Sequence, residues 1–156
     1  MEIFEQALRA FLINVNVTGS RVFLMQAPQN PAPQAALPFL VFFPIAAFPY
    51  HAHGGPLEVV EREYQISVFD KSQSAALAIA DTIRGSLDGF SGNVQSPWYI
   101  DAAFYQTQTW LREEQTQIFH VVQEYRIMFR ALTPLLKQPP AVPTAVQPAV
   151  TLERST

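Results

Sequence analysis

The sequence predicts an α+β fold. A single domain over residues 1–132 carries a mostly antiparallel sheet, packed by two helices on one face and ending in a long C-terminal hairpin. Three observations lead there. Apolar residues recur at helical spacing twice, over residues 2–14 and again after Ser72. Residues 58–70 alternate between apolar and polar side chains, the period of a half-buried strand. Two further strand-like stretches, 98–111 and 117–130, flank one polar turn. The simplest packing for this order is one sheet with a helical layer against it.

In the first helix, Ile3, Phe4, Ala7, Leu8, Phe11 and Leu12 form the apolar stripe, with Glu5, Gln6 and Arg9 on the other side. Thr18, Gly19 and Ser20 end it, and residues 21–26 read as a short strand. Residues 27–38 are a loop or arm, because proline removes donors and fixes the backbone. Residues 39–45 read as a buried strand, and residues 48–56 turn outward through Gly54 and Gly55. In 58–70, Val60, Tyr64, Ile66 and Val68 share one parity, opposite Glu61, Glu63, Gln65 and Ser67; Arg62 alone breaks the apolar side. Ser72 or Ser74 caps the second helix, whose stripe is Ala76, Ile79, Ala80, Ile83 and Leu87, and Gly89 fits the left-handed residue that ends it. After a loop at 90–97 come the two hairpin strands, joined by Arg112, Glu113, Glu114 and Gln115. Residues 133–156 are rich in proline, alanine and valine without amphipathic period, the composition of a flexible tail.

Composition separates the function classes. At 156 residues, one domain can bury its own core. The charged fraction is 15%, against roughly 25% in ordinary domains. Residues 22–57 hold no Asp, Glu, Lys or Arg, and seven of these residues are proline. Those prolines divide the apolar run 37–50 into pieces too short to span a bilayer, so no membrane is expected. A covering protein surface explains the missing charge better, which marks the chain as an assembly component. Strand alternation puts Phe42 and Phe43 on opposite faces; with Phe48 and Tyr50 they form the candidate subunit or tube interface. A net charge of −3, with basic residues scattered singly, argues against binding nucleic acid by neutralising phosphates. There is no cysteine, so neither disulfides nor thiolate chemistry arise. Two glutamates in the first five residues do not suit a signal peptide, so synthesis in the cytosol is expected; the sequon at Asn16 is then a chance match.

No motif supplies a catalytic or cofactor site. His51 and His53 could point the same way from a strand, but zinc needs further protein ligands, and a polar loop tip is the simpler reading. The glycine spacing around Ser91 is wrong for a nucleophile elbow, and a helix precedes it. Glu61 with Glu63, and Glu113 with Glu114, read as solvated carboxylates without a pocket to separate their pKa values. No lysine follows Gly54 and Gly55 as a phosphate loop requires. Trp98, Tyr99, Tyr105 and Trp110 suit core or protein contact better than stacking on sugars or bases. Metal, cofactor and catalytic residues are all expected to be none.

In order along residues 2–131, these segments resemble the tail-terminator or tail-completion proteins of long-tailed bacteriophages and related prophage particles. The resemblance is carried by the N-terminal helix, the short strand 21–26, the proline-rich link into LPFLVFF, and the strand from Tyr64 to Asp70. The helix carrying Ala76, Ile79, Ala80, Ile83, Leu87 and Gly89 follows, then Glu113 and Glu114 leading into the strand through Tyr125 and Ile127. The resemblance implies a virion protein assembled in the host cytoplasm. It would be one subunit of a homohexameric ring that caps the finished tail tube and turns its other face to the head–tail connector protein. Partners would be itself, the tail tube protein and the connector, with DNA passing the channel without specific binding. Glu113 and Glu114 become candidate channel-facing or ring-face acidic residues. The alternatives are another neck or head-completion ring protein, and more remotely a small ligand-binding domain or enzyme.

Overall fold

The computed structural model describes residues 3–27, 36–53 and 55–132. The elements are α1 (Phe4–Val15), β1 (Val22–Leu24), β2 (Phe39–Ala52), β3 (Gly55–Asp70), α2 (Gln73–Leu87), β4 (Gly92–Gln95), β5 (Trp98–Glu113) and β6 (Ile118–Ala131). All six strands lie in one sheet, ordered β1-β2-β3-β6-β5-β4. β1 runs parallel to β2, and every other pairing is antiparallel. The loop expected at 27–38 falls largely outside the described residues, as does the tail 133–156.

Local chemistry sets the helix ends. The Ser72 hydroxyl accepts from the Ala75 amide at 3.3 Å, satisfying one of the donors that α2 cannot pair internally. At the other end Gly89 takes φ +76°, a conformation that costs a side chain with Cβ, and donates its N–H to the Ala103 carbonyl at 2.8 Å. The end of α2 is thereby tied to β5. Asn16, also left-handed, closes α1.

One continuous core joins Phe4, Leu8 and Leu12 of α1 and Ala76, Ala80, Ile83 and Leu87 of α2 to the strands. From the sheet come Leu40 and Phe42, Tyr64, Ile66 and Val68, Ile100 and Ala103, and Val121, Tyr125, Ile127 and Phe129. Phe4 stacks on Phe129 with centroids 3.6 Å apart and meets Trp98 edge-on. Gln123 is fully buried among these residues. Its amide donates to the Ala80 carbonyl and to Gln108, and its oxygen accepts from the Tyr125 hydroxyl.

The strands depart from the sequence reading in three places. β2 does not stop near Ile45; it runs to Ala52 and pairs with β3 almost to the turn. Its prolines are tolerated because register shifts fall at Pro44/Ala46 and Pro49/His51, and because β1 pairs only with Leu40 to Phe42, so that among the described residues no strand pairs with that side of β2 further along. The loop read at 90–97 contains β4. Finally, Glu5 and Glu61, both placed on polar faces from sequence, are 6% and 3% exposed. Each is buried by a charge partner on a different element.

Candidate assembly surface

The sheet has two faces of opposite character. One carries the core. The other, formed on β3 by Glu61, Glu63, Gln65, Ser67 and Phe69, is brought by register beside Met128, Arg126, Glu124, Val122 and His120 of β6. The core that the helix residues join is built on β3 from the opposite parity, Tyr64, Ile66 and Val68.

At one end of that face an aromatic row crosses four strands. Phe23 meets Phe39 edge-on at 6.2 Å, Phe39 stacks on Phe69 at 4.7 Å, and Phe69 stacks on His120 at 4.1 Å. Two depressions of about 400 and 290 Å³ flank the row and share Phe69 and His120. Burial lowers the His120 pKa, opposed by the nearby Glu113 carboxylate, so the ring favours its neutral form. His120 and Glu113 share that lining with Phe69, Leu111, Arg112 and Ile118.

At the other end, a charge cluster fastens the β2–β3 hairpin to β6. Arg126 pairs with Glu61 and Glu63, each at 3.0 Å, and its guanidinium lies 5.2 Å from the Phe48 ring centroid. The Tyr50 hydroxyl donates to Glu61, a hydrogen bond that, with desolvation and the charge of the carboxylate, raises the Tyr50 pKa. The sequence reading had Glu61 and Glu63 as solvated. The structure buries Glu61, because β2 continues past Pro44 and lays Phe48 and Tyr50 beside it.

The residues singled out from sequence therefore separate. Phe42 is fully enclosed in the core, while Phe43 is half-buried on the opposite face. Phe48 and Tyr50 are each 39% exposed, beside Ile45. Glu113 ends β5 and Glu114 starts the exposed turn, where Thr116 donates to the Glu113 carboxylate and Gln117 to the Glu114 carbonyl. His51 lies in β2 and His53 in the following turn, both exposed. Among the described residues no group of three or more His, Cys, Asp or Glu could hold a metal, and no helix is long and apolar enough to cross a membrane.

The candidate interface read from sequence left out part of this surface, although Trp110 was read as core or protein contact. Phe104, Trp110 and Leu111 of β5 are 47, 61 and 55% exposed. Trp110 is paired with the buried Val121, so its parity reads as core, but it stands exposed near the end of the hairpin. The available signal was Trp110 beside Leu111, since adjacent large apolar residues on a strand cannot both face one core.

Three comparisons bear on identity. A search of curated proteins finds no match. Among solved structures, a chain described as "Virion of native gene transfer agent (GTA) particle" superposes with a TM-score of 0.59 at 19% identity, covering 81% of this chain and 91% of that one. The family model described as "Tail completion protein gp17" matches residues 6–130. That span includes every strand but the last residue of β6, and all but the first two residues of α1. The chain belongs to the tail completion protein gp17 family and is a structural component of a bacteriophage-type tail.

Proposed function

We propose that this protein is one subunit of a homohexameric ring that ends tail-tube growth and forms the tail side of the head–tail joint in the virion. The observation that carries the reading, beyond family membership, is the uncharged strand β2. It projects Ile45, Phe48 and Tyr50 at 42, 39 and 39% exposure. Exposed apolar side chains along an uncharged edge are the chemistry of a surface completed by another chain. The two helices, packed as one layer, and the long β5–β6 hairpin would give each subunit a rigid body with two distinct edges. The fold shared with a chain of a gene transfer agent virion supports incorporation into a particle of that kind.

In this reading the ring docks on the last tube subunits and occupies the surface that the next ones need. The head–tail connector protein meets its other side. Phe43, Phe48 and Tyr50 are the side chains offered to a neighbouring subunit or the tube, and Glu113 and Glu114, at the hairpin tip, face the channel or one side of the ring. A net charge of −3 suits a channel through which DNA passes without specific binding, because like charges repel. No catalytic step is part of this role.

Deleting the gene from its phage or prophage tests the reading. The expected result is filled heads without tails, together with tubes of abnormal length. Tubes of normal length that fail to join heads would assign the protein to the connector instead. Normal infectious particles would overturn both structural roles.

A further inference from the structure

Nine large hydrophobic side chains stand exposed among the described residues, and six of them lie on only two strands. β2 carries Ile45, Phe48 and Tyr50; β5 carries Phe104, Trp110 and Leu111. β3 and β6 lie between those strands, so three strand spacings, roughly 14 Å, separate them and neither group can cover the other within one chain. We infer that the two groups are the two halves of one head-to-tail contact between copies of this chain, with the β5 edge of one copy seated against the β2 edge of the next. This rests on the ring reading above and names the surfaces that would close the ring.

Charge and backbone chemistry favour this occupant. Residues 36–53 and 102–111 contain no Asp, Glu, Lys or Arg. Joining these stretches therefore removes apolar surface from water without stripping an ion of its hydration. The two edges also differ in what their backbones offer. The Leu40 amide donates to Arg21 and the Phe42 carbonyl accepts from Met25, so these alternate residues turn their backbone away from β3. Pro44 is next in that alternation, beyond the end of β1, and its missing N–H falls on the side away from β3; Pro49 removes a second donor further along β2. Two β2 edges cannot zip into a regular ladder with each other. β5 has no proline. β4 pairs with its first residues, and the end of α2 takes the Ala103 carbonyl and the Tyr105 amide. From 106 to 113, no strand among the described residues pairs with its outer side. One edge thus supplies donors and the other mainly acceptors. A contact between unlike patches is heterologous and repeats around a ring, whereas a contact between like patches stops at a dimer.

The chain has no cysteine, so introduced ones report the contact without background. Phe48→Cys and Trp110→Cys are made separately, checked for folding by circular dichroism, and treated with a short bismaleimide alone and as an equal mixture. The expected result is a cross-linked dimer in the mixture that is lost when either variant is alone. The double variant should give a ladder of bands ending at the closed ring. Tyr50→Cys with Leu111→Cys provides a second pair should either first variant fail to fold. Dimers from Trp110→Cys alone, equal to those of the mixture, would overturn the inference in favour of a two-fold contact. A closed ring by native mass spectrometry without either mixed cross-link would overturn the inference and leave the ring standing. Wild-type protein that forms no ring, alone or with tail tubes, would remove the ring and this contact together.

Discussion

Glu5 and Arg62 each break a pattern, and each explains the other. Arg62 sits among the apolar residues of β3, and Glu5 sits on the buried side of α1. In the folded chain Arg62 pairs with Glu5 at 2.6 Å, the Tyr64 hydroxyl donates to the same carboxylate oxygen at 2.8 Å, and the guanidinium lies 5.3 Å from the Phe129 ring centroid. Burial, reinforced by the hydrogen bond to Glu5, pushes the Tyr64 pKa well up, so it remains a donor at any ordinary pH. The partners are 57 residues apart, which is why no local pattern exposes the pair; only the parity break at Arg62 was legible. Removing Glu5 would leave a fully buried hydroxyl without its acceptor and a guanidinium, about one-third exposed, without its counter-charge. Glu5→Ala should therefore destabilise the fold by about 2–4 kcal/mol, with Glu5→Gln costing less because an acceptor oxygen remains. Urea unfolding of both variants measures this. A loss below about 0.5 kcal/mol for Glu5→Ala would mean that the pair is no more than a surface ion pair.

Elements whose determinants are local were legible, and those set by neighbours were not. α2 was readable from its stripe, its serine cap and Gly89, since each acts within a few residues. β3 was readable from its alternation. β2 was cut short because proline is a strand breaker in the middle of a sheet, and sequence alone does not reveal that this strand lies at an edge. The same strand now divides its aromatic residues between two tasks. Phe42 is fully buried against Ile66 and the rest of the core, while Phe48 is exposed beside Arg126. Phe42→Ala should cost about 3–5 kcal/mol, the usual loss for emptying a buried phenylalanine site. Phe48→Gln should cost less than about 1 kcal/mol in the isolated subunit, as for most substitutions at exposed sites, yet abolish ring formation and tail completion. Thermal unfolding combined with native mass spectrometry separates the effects. Equal destabilisation by both would make the whole of β2 a core strand and remove it from the interface.

For the whole molecule, the core closes early. Its first member is Phe4 and its last is Phe129, in direct stacking contact, so the two ends of the described chain lock each other in place. α1 and β6 are the farthest elements apart in sequence, and their contact completes the core. The family match ends at the same point, at residue 130. The composition changes after Leu132 in the sequence, and an apolar period that stops is not expected to contribute a further layer. We therefore expect a chain ending at Leu132 to fold with its stability changed by no more than about 1 kcal/mol, since every buried aromatic contact described above is retained. Circular dichroism and urea unfolding of the shortened chain make the measurement. A large loss would mean that residues after 132 cover part of the core, and the domain boundary would move toward the C-terminus. If stability holds while added protein no longer stops tube growth in an assembly reaction, those residues act between molecules. They would then belong with the exposed edges of β2 and β5, among the parts of this chain whose role is completed only by a neighbour.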